Sequence, residues 1–583
     1  MKVPALSNAA IIAGIAVATV LAAGCGGPAP ESSAGDTAAA ATTTLVLLNG
    51  EIHTPRGWAQ AMAVKDGVIV ALGDAAAVEP WKSGAKVLDL AGATVLPGLH
   101  DMHFHPTMSG LQAEFSCSFP QGSNLERVLE AVKGCAARRG KGEWITGGQW
   151  DVASLGTAPQ RTLLDAVSPE NPVVLADISG HSAWVNSAAL AAAGVTRDTA
   201  NPDAGIIERD AAGEPSGILR EFAAGMVRKH IPPYTAEQNV KGLSWSLNLA
   251  LSEGITAFTD AGVDLDALQA YATLADRGVL KQRVRACIFS GGPVFQAATS
   301  SGDPVELRNL YARERFKPDC VKLGLDGVPT DGHTAAMLEP YADATHIRAE
   351  ARAKGMLTWP AAELKRTVTE LDRQGFTVKF HAAGDAAVRA GLDSIEAARK
   401  ANGFSGVLHD VGHNSFIHMS DVRRARALGA TFEMSPYIWY PNPIIPDIAK
   451  AIGPERMLRW IPVKDAIDAG ALVVPGSDYA VVPSMSPWIA IETLVTRQVP
   501  GGGGEVLGAA ERITLQQAFD LFTVNSARQM GHANRTGRIE VGMLADLVVV
   551  DRNPFKIPVT DIHNTRVRTT IIDGEIVYQA AQR

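Results

Sequence analysis

Residues 93–106 read ATVLPGLHDMHFHP. An apolar run is broken at Pro97-Gly98 and resumes. It then ends in three histidines and an aspartate within the span 100–106. On a strand, alternate side chains share a face, so His103 and His105 would point the same way and could grip one ion. An H-x-H pair alone is weak, because a histidine-rich polar loop reads the same.

The rest of the chain supplies a context for it. Seven further apolar runs follow: GITAFTDAG (254–262), RVRACIFSG (283–291), DCVKLGLDG (319–327), FTVKFHAAG (376–384), GVLHDVGH (406–413), ATFEMSP (430–436) and ALVVPGSD (471–478). Helical stretches separate them and each ends in a polar or glycine-bearing turn. Eight such βα units predict an α/β fold with a distorted (β/α)8 TIM barrel over 96–106 and 246–534, its chemistry at the C-terminal strand ends. About 150 residues separate HFH from GITAFTD, far more than one βα unit needs. Residues 107–245 therefore read as an inserted lid or substrate subdomain after the first barrel strand. Residues 44–95 and 535–583 carry short β runs with N-G and D-G turns, among them TLVLLNGEIHT, AMAVKDGVIVALG, GMLADLVVVDRN and VRTTIIDGEIVYQ. The two chain ends are expected to meet in one small β-sandwich.

A formal charge of -8 without a basic block argues against nucleic acid as a partner. No C-x2-C pair or short-period repeat occurs. Residues 1–25 read as a lipoprotein-type signal peptide ending in LAAGC, with Cys25 lipidated, and 26–43 as a flexible linker. That predicts an exported cell-envelope lipoprotein held at a membrane, at the outer membrane or facing the periplasm in a Gram-negative cell. In an oxidising envelope Cys117 and Cys135 are the local candidates for a disulfide, their connectivity left open, whereas Cys287 and Cys320 in apolar runs read as buried thiols.

Other strand ends carry matching groups: Lys322, His381, His413 and Asp478. Each alone has an ordinary reading as a snorkelling lysine, a satisfied core histidine or a capping aspartate. Together with His103 and His105 they supply neutral imidazoles and a carboxylate, which suit zinc or a similar divalent ion.

Here the chain resembles the amidohydrolase superfamily and, within it, amidohydrolase family 3, the YtcJ-like proteins that include N-substituted formamide deformylase. The resemblance runs from about residue 44 to the C-terminus. It is carried by VLPGLHDMHFHP, GHSAWVNSAAL, GITAFTDAG, VKLGLDGVPTDGHTAAM, HAAGDAAV, GSDYAVVPSMSPW and TGRIEVGMLADLVVVDRNP. It implies a metal-dependent hydrolase with one or two divalent ions, zinc favoured. His103, His105 and Asp478 would hold the more buried ion, and His381 and His413 the second. Lys322 falls where relatives carry a carboxylated lysine. Two departures stand out: Gly412, where relatives usually have glutamate, and His100, where an aliphatic residue is usual.

The implied activity is hydrolysis of a non-peptide amide C–N bond, of N-acyl or N-formyl type, with Asp478 moving the proton. The alternatives are a hydrolase of a cyclic amide, carbamate or ester, and a catalytically idle envelope binding protein. Trp150, His181 and Trp184 in the insertion, and Tyr437, Trp439 and Trp488 after the last strands, are candidate substrate contacts. The expected partner is a small amide-type molecule, and a homodimer is the expected assembly if there is one.

Overall fold

A computed structural model describes residues 43–581, apart from 121, 178–181, 203–204, 291–301, 331 and 345–352. The signal peptide, nearly all of the linker, and His181 lie outside the described residues.

The eight apolar runs form one parallel sheet in chain order: β1 (Leu99–Phe104), β2 (Ile255–Val263), β3 (Arg283–Phe289), β4 (Phe316–Gly324), β5 (Thr377–Ala382), β6 (Asp410–His413), β7 (Thr431–Met434) and β8 (Leu472–Pro475). Parallel strands are covered on both faces, which is why they read as unbroken apolar runs rather than alternating ones. Every neighbour from β1 through β8 is laddered. The seam between β8 and β1 closes just beyond β8, at the end where the strands terminate. Asp478 N–H donates to His103 O at 2.6 Å and His105 N–H to Tyr479 O at 3.0 Å. The Asp101 carboxylate accepts from the Ser477 and His103 amides at 3.0 and 3.1 Å. Burial pushes the Asp101 carboxyl up to about 6 despite those bonds.

Thr94–Pro97 pairs antiparallel with Leu547–Val550, so the chain ends share a six-stranded sheet. A four-stranded sheet of Thr44–Leu48, Ala61–Lys65, Val68–Gly73 and Lys86–Asp89 packs on it through Leu45, Met62, Ile69, Val95, Leu547 and Ile571. This is the sandwich expected of the two ends. The segment after β1 also follows expectation, forming its own six-stranded sheet from Cys117–Ser118 to Pro215–Glu221. Helices Pro106–Phe115 and Ala236–Ser252 lead out of and back into the barrel. They cross where a Cβ on Gly110 would lie 1.8 Å from Gly242 O, so only glycine permits the approach.

Cys117 and Cys135 are disulfide-bonded. Cys287 and Cys320 are not free thiols as the sequence suggested, but a second disulfide. Strands β3 and β4 are neighbours, and their register sets Cys287 opposite Cys320 with the Cα atoms 4.1 Å apart.

Candidate metal centre

The ends of β1, β6 and β8 bring ligand atoms of His103, His413 and Asp478 within 4.8 Å of one another, all three residues buried. His105, at the start of the helix after β1, sets its Nε2 3.2 Å from Asp478 Oδ1, and His103 Nε2 lies 3.5 Å from the same oxygen. The His381 ring sits over His413 with centroids 4.2 Å apart. Lys322 Nζ reaches 3.4 Å from His103 Nε2. Thus all six strand-end residues singled out in the sequence converge on one place, although the tightest triad takes His413 rather than His105 beside His103 and Asp478.

The backbone is committed to this arrangement. His413 and Asp478 have φ of 73° and 58°, a left-handed conformation that costs a non-glycine residue about 1–3 kcal/mol.

Three of the histidines share a pattern. His103 Nδ1 donates to Glu433 Oε2 at 2.5 Å, His381 Nδ1 donates to Asp326 Oδ1 at 3.0 Å, and His413 Nδ1 pairs with Ser435 Oγ at 3.1 Å. In each case Nδ1 is occupied, which is how ligating histidines are oriented, and His103 Nε2 faces Lys322 and Asp478. His413 Nε2 is buried with no hydrogen-bond partner among the described residues. Burial, then the neighbouring cations and imidazoles, push His103 and His413 well below the usual histidine range, so both rings are neutral with a lone pair to give.

Glu433, Asp326, Lys379, Asp410 and Ser435 escaped the sequence reading. Lys379 donates to Asp410 Oδ2 at 2.8 Å, to Glu433 Oε2 at 3.0 Å and to Met102 O at 3.1 Å. Burial acts to lower the Lys379 ammonium, but Asp410 and Glu433 outweigh it and hold the group charged. Asp326 also accepts from the backbone of Ala336, Ala383 and Gly384, tying the loop after β4 to the end of β5. The available signal was a charged residue inside an apolar run, as in ATFEMSP and FTVKFH. Gly412 has a structural reason: a Cβ there would stand 2.8 Å from Glu433 Oε2 and 2.7 Å from Phe380 O. A Cβ on Gly476 would meet Glu433 Oε1 at 2.6 Å and His103 Cβ at 2.3 Å. Two glycines therefore make the slot that holds Glu433. His100 is buried, and desolvation first, then His532, lower it to about 3.

The aromatic candidates among the described residues are buried. Trp150 and Trp184 fill the core of the inserted sheet, their indole N–H groups donating to Leu175 O and Gln160 O at 3.0 and 3.1 Å. Tyr437, Trp439 and Trp488 are buried in the barrel core, with Trp439 donating to Thr493 Oγ1 at 2.9 Å. Large apolar rings after a strand end fill the helix–strand interface as readily as a mouth.

Residues 86–578 match the amidohydrolase family. The chain is 27% identical over 548 residues to N-substituted formamide deformylase of Arthrobacter pascens, covering 92% of this chain and 98% of that protein. It is 27% identical over 535 residues to the putative amidohydrolase YtcJ of Bacillus subtilis, covering 89% and 96%. Among solved structures, an uncharacterized metal-dependent hydrolase from Pyrococcus furiosus superposes with a TM-score of 0.70 at 25% identity, covering 88% of this chain and all of that one. With the barrel, the two-ended sandwich and the donor set at the strand ends, the chain belongs to the amidohydrolase family, and its site is one that could hold the metal of a metal-dependent hydrolase.

Proposed function

We propose that this protein hydrolyses the C–N bond of a non-peptide amide of N-acyl or N-formyl type, using one or two divalent ions, zinc favoured. The observation that carries the reading is the convergence of His103, His413 and Asp478 within 4.8 Å, with the Nδ1 atoms of both histidines held by Glu433 and Ser435. The likeness to a formamide deformylase over nearly the whole of both chains supports the bond type.

The donors fit such an ion. An orphaned buried Nε2 on His413 needs a partner, and neutral imidazoles beside a carboxylate suit zinc. His103, His413 and Asp478 would hold a single ion; with two ions, His103, His105 and Asp478 would hold one and His381 and His413 the other. When bound, the metal lowers the pKa of a water from about 15.7 toward about 7 and polarises the scissile carbonyl. Asp478 Oδ1, 3.2 Å from His105 Nε2, takes the proton that water loses and returns it to the leaving nitrogen. Glu433 and Asp326 keep His103 and His381 in one tautomer and orientation throughout.

Lys322 supports a further element of this reading. Burial, then repulsion by Lys379, lower its ammonium to about 8. A neutral amine can attack CO2 and lose a proton to become a carbamate, which turns a residue that cannot ligate into an anionic bridge. Two disulfides support the reading of the chain as an exported envelope protein.

Metal-replete protein is assayed on a panel of N-formyl and N-acyl amides, with and without chelator, alongside Asp478→Asn. We expect turnover that is lost on chelation, restored by zinc, and reduced about 10²–10⁴-fold in the variant. Turnover indifferent to chelator, or undiminished by Asp478→Asn, would overturn the mechanism.

A further inference from the structure

The register of β3 against β4 puts Cys287 opposite Cys320 and Phe289 opposite Lys322. Alternate residues of a strand share a face, so Cys320 points the way Lys322 does, into the barrel interior. Lys322 Nζ there stands 3.4 Å from His103 Nε2. The Cys287–Cys320 disulfide therefore lies just below Lys322, on the strand that carries it. Both cysteines are sealed from solvent.

The bond is not needed to join the two strands. They are laddered on either side of it, and Ser290 N–H donates to Lys322 O at 2.9 Å. What the bond adds is closeness. The Cys287 and Cys320 Cα atoms are 4.1 Å apart, whereas unlinked neighbouring strands lie about 4.7–4.9 Å apart. The ladder also shifts between Arg285 and Cys287, just before the bridge. Two unbonded thiols need more room than a disulfide, and a close-packed interior has none to spare. Opening the bond must therefore part β3 and β4 at the step beneath Lys322. The Cys117–Cys135 disulfide differs. It ties Cys117–Ser118 to the helix Leu125–Ala136 within the inserted subdomain, and neither element carries a residue of the donor cluster.

We propose that the Cys287–Cys320 disulfide is a redox switch on the metal centre, an inference that rests on the metal-binding role proposed for that centre. Closed, the bond holds the end of β4 so that Lys322 stands against His103. A dithiol opens it by giving up two electrons and two protons. The S–S bond breaks, two thiols form, and the dithiol closes into its own disulfide. Lys322 then withdraws and the centre holds its ion less tightly. The enzyme is thus armed only in an oxidising compartment. Coupling of this kind is reciprocal, so a bound ion protects the bond from reduction by the same factor.

The test is the zinc affinity of the full chain, by competition with a chelator, in oxidised protein and in protein reduced with a dithiol and desalted. Reduction should weaken binding about 10–100-fold, as loss of a group that orients metal ligands does. The Cys287→Ala/Cys320→Ala double variant should match the reduced protein, and it also removes the freed thiols as zinc ligands. Cys117→Ala/Cys135→Ala should bind zinc as oxidised wild type does. In Lys322→Ala protein, reduction should change the affinity no further; a drop of the same size there would overturn the part given to Lys322. Equal affinity in oxidised, reduced and Cys287→Ala/Cys320→Ala protein would overturn the switch alone, leaving a structural cross-link beside a working metal centre. No zinc binding in any form would sink the metal centre and the switch together. If neither opened form folds, the rate at which the dithiol opens Cys287–Cys320 in folded protein decides, read by thiol alkylation and mass spectrometry. Zinc in excess of the dithiol should slow that opening, and an unchanged rate would overturn the proposal.

Discussion

Glu433 on β7 and His103 on β1 meet across the barrel interior at 2.5 Å, with both side chains sealed from solvent. The carboxylate is also bound by Lys379, so the orientation of one candidate metal ligand depends on a charge network reaching to β5 and β6.

Glu433→Gln should therefore weaken metal binding while leaving the donor atoms in place. Partners of ligating histidines are typically worth about 10–100-fold in affinity. Competition against a chelator of known affinity measures it. Glu433→Ala goes further, leaving Lys379 with Asp410 alone, and should cost about 3–5 kcal/mol in urea unfolding.

Gly476→Ala should be worse than Gly412→Ala. At position 476 the added methyl meets His103 Cβ, which cannot move without moving the donor cluster. At 412 the nearest atoms are a carboxylate oxygen and one carbonyl. Overpacking costs typically about 1–3 kcal/mol, which sets the expectation for Gly412→Ala. Gly476→Ala should also lose bound metal, read by elemental analysis of the purified protein.

Lys322→Ala should lose activity if Lys322 acts as a carbamate, and a small carboxylate such as acetate in solution should restore part of it. Rescue tracking acetate concentration supports the bridge. Failure of acetate, together with undiminished metal content, would remove it.

Asp372 gives a stability prediction away from the site. It accepts from His409 Nε2 at 3.0 Å, from Arg399 at 2.8 Å and from Ser405 at 2.7 Å, joining the helices Ala361–Arg373 and Asp385–Asn402 at the feet of β5 and β6. Burial raises the Asp372 carboxyl, but bonds from His409, Asn402 and Ser405 outweigh it and hold it below the usual range. A folded pKa below the unfolded one stabilises above about pH 3.9 and is lost as pH falls below that. Burial chiefly lowers His409, so its contribution is present above about pH 6.5 and is lost as pH falls through that value. The wild type should thus lose stability in two stages on acidification. The gap between wild type and Asp372→Asn, about 3–5 kcal/mol at pH 7.5, should narrow below about pH 4. Chemical denaturation at a series of pH values measures both.

The fold was legible because parallel strands buried on both faces leave a plain apolar signature, and because the eight runs end alike. The donor set was legible for a related reason: His103, His105, His381, His413 and Asp478 all sit where a strand stops being apolar. What the sequence did not show depends on register. Glu433 lies among apolar neighbours in ATFEMSP, and only the lateral fit of β7 against β6 and β8 reveals that it faces His103 through a gap left by two glycines. Cys287 and Cys320 needed the same information, since an apolar run hosts a thiol or half a disulfide equally well. Tyr437, Trp439 and Trp488 lie in the barrel core, and ring chemistry does not say which side of a strand end a side chain fills.

The seam of the barrel has a consequence of its own. The amide of Asp478 and the carbonyl of His103 form the clasp between β8 and β1, and their side chains belong to the donor cluster. Filling the cluster should therefore tighten the clasp, and springing the clasp should scatter the donors. Loading the site should therefore steady the shut cylinder, and the emptied protein should breathe first at residues 103–105 and 476–479, where amide exchange would see the lock come undone.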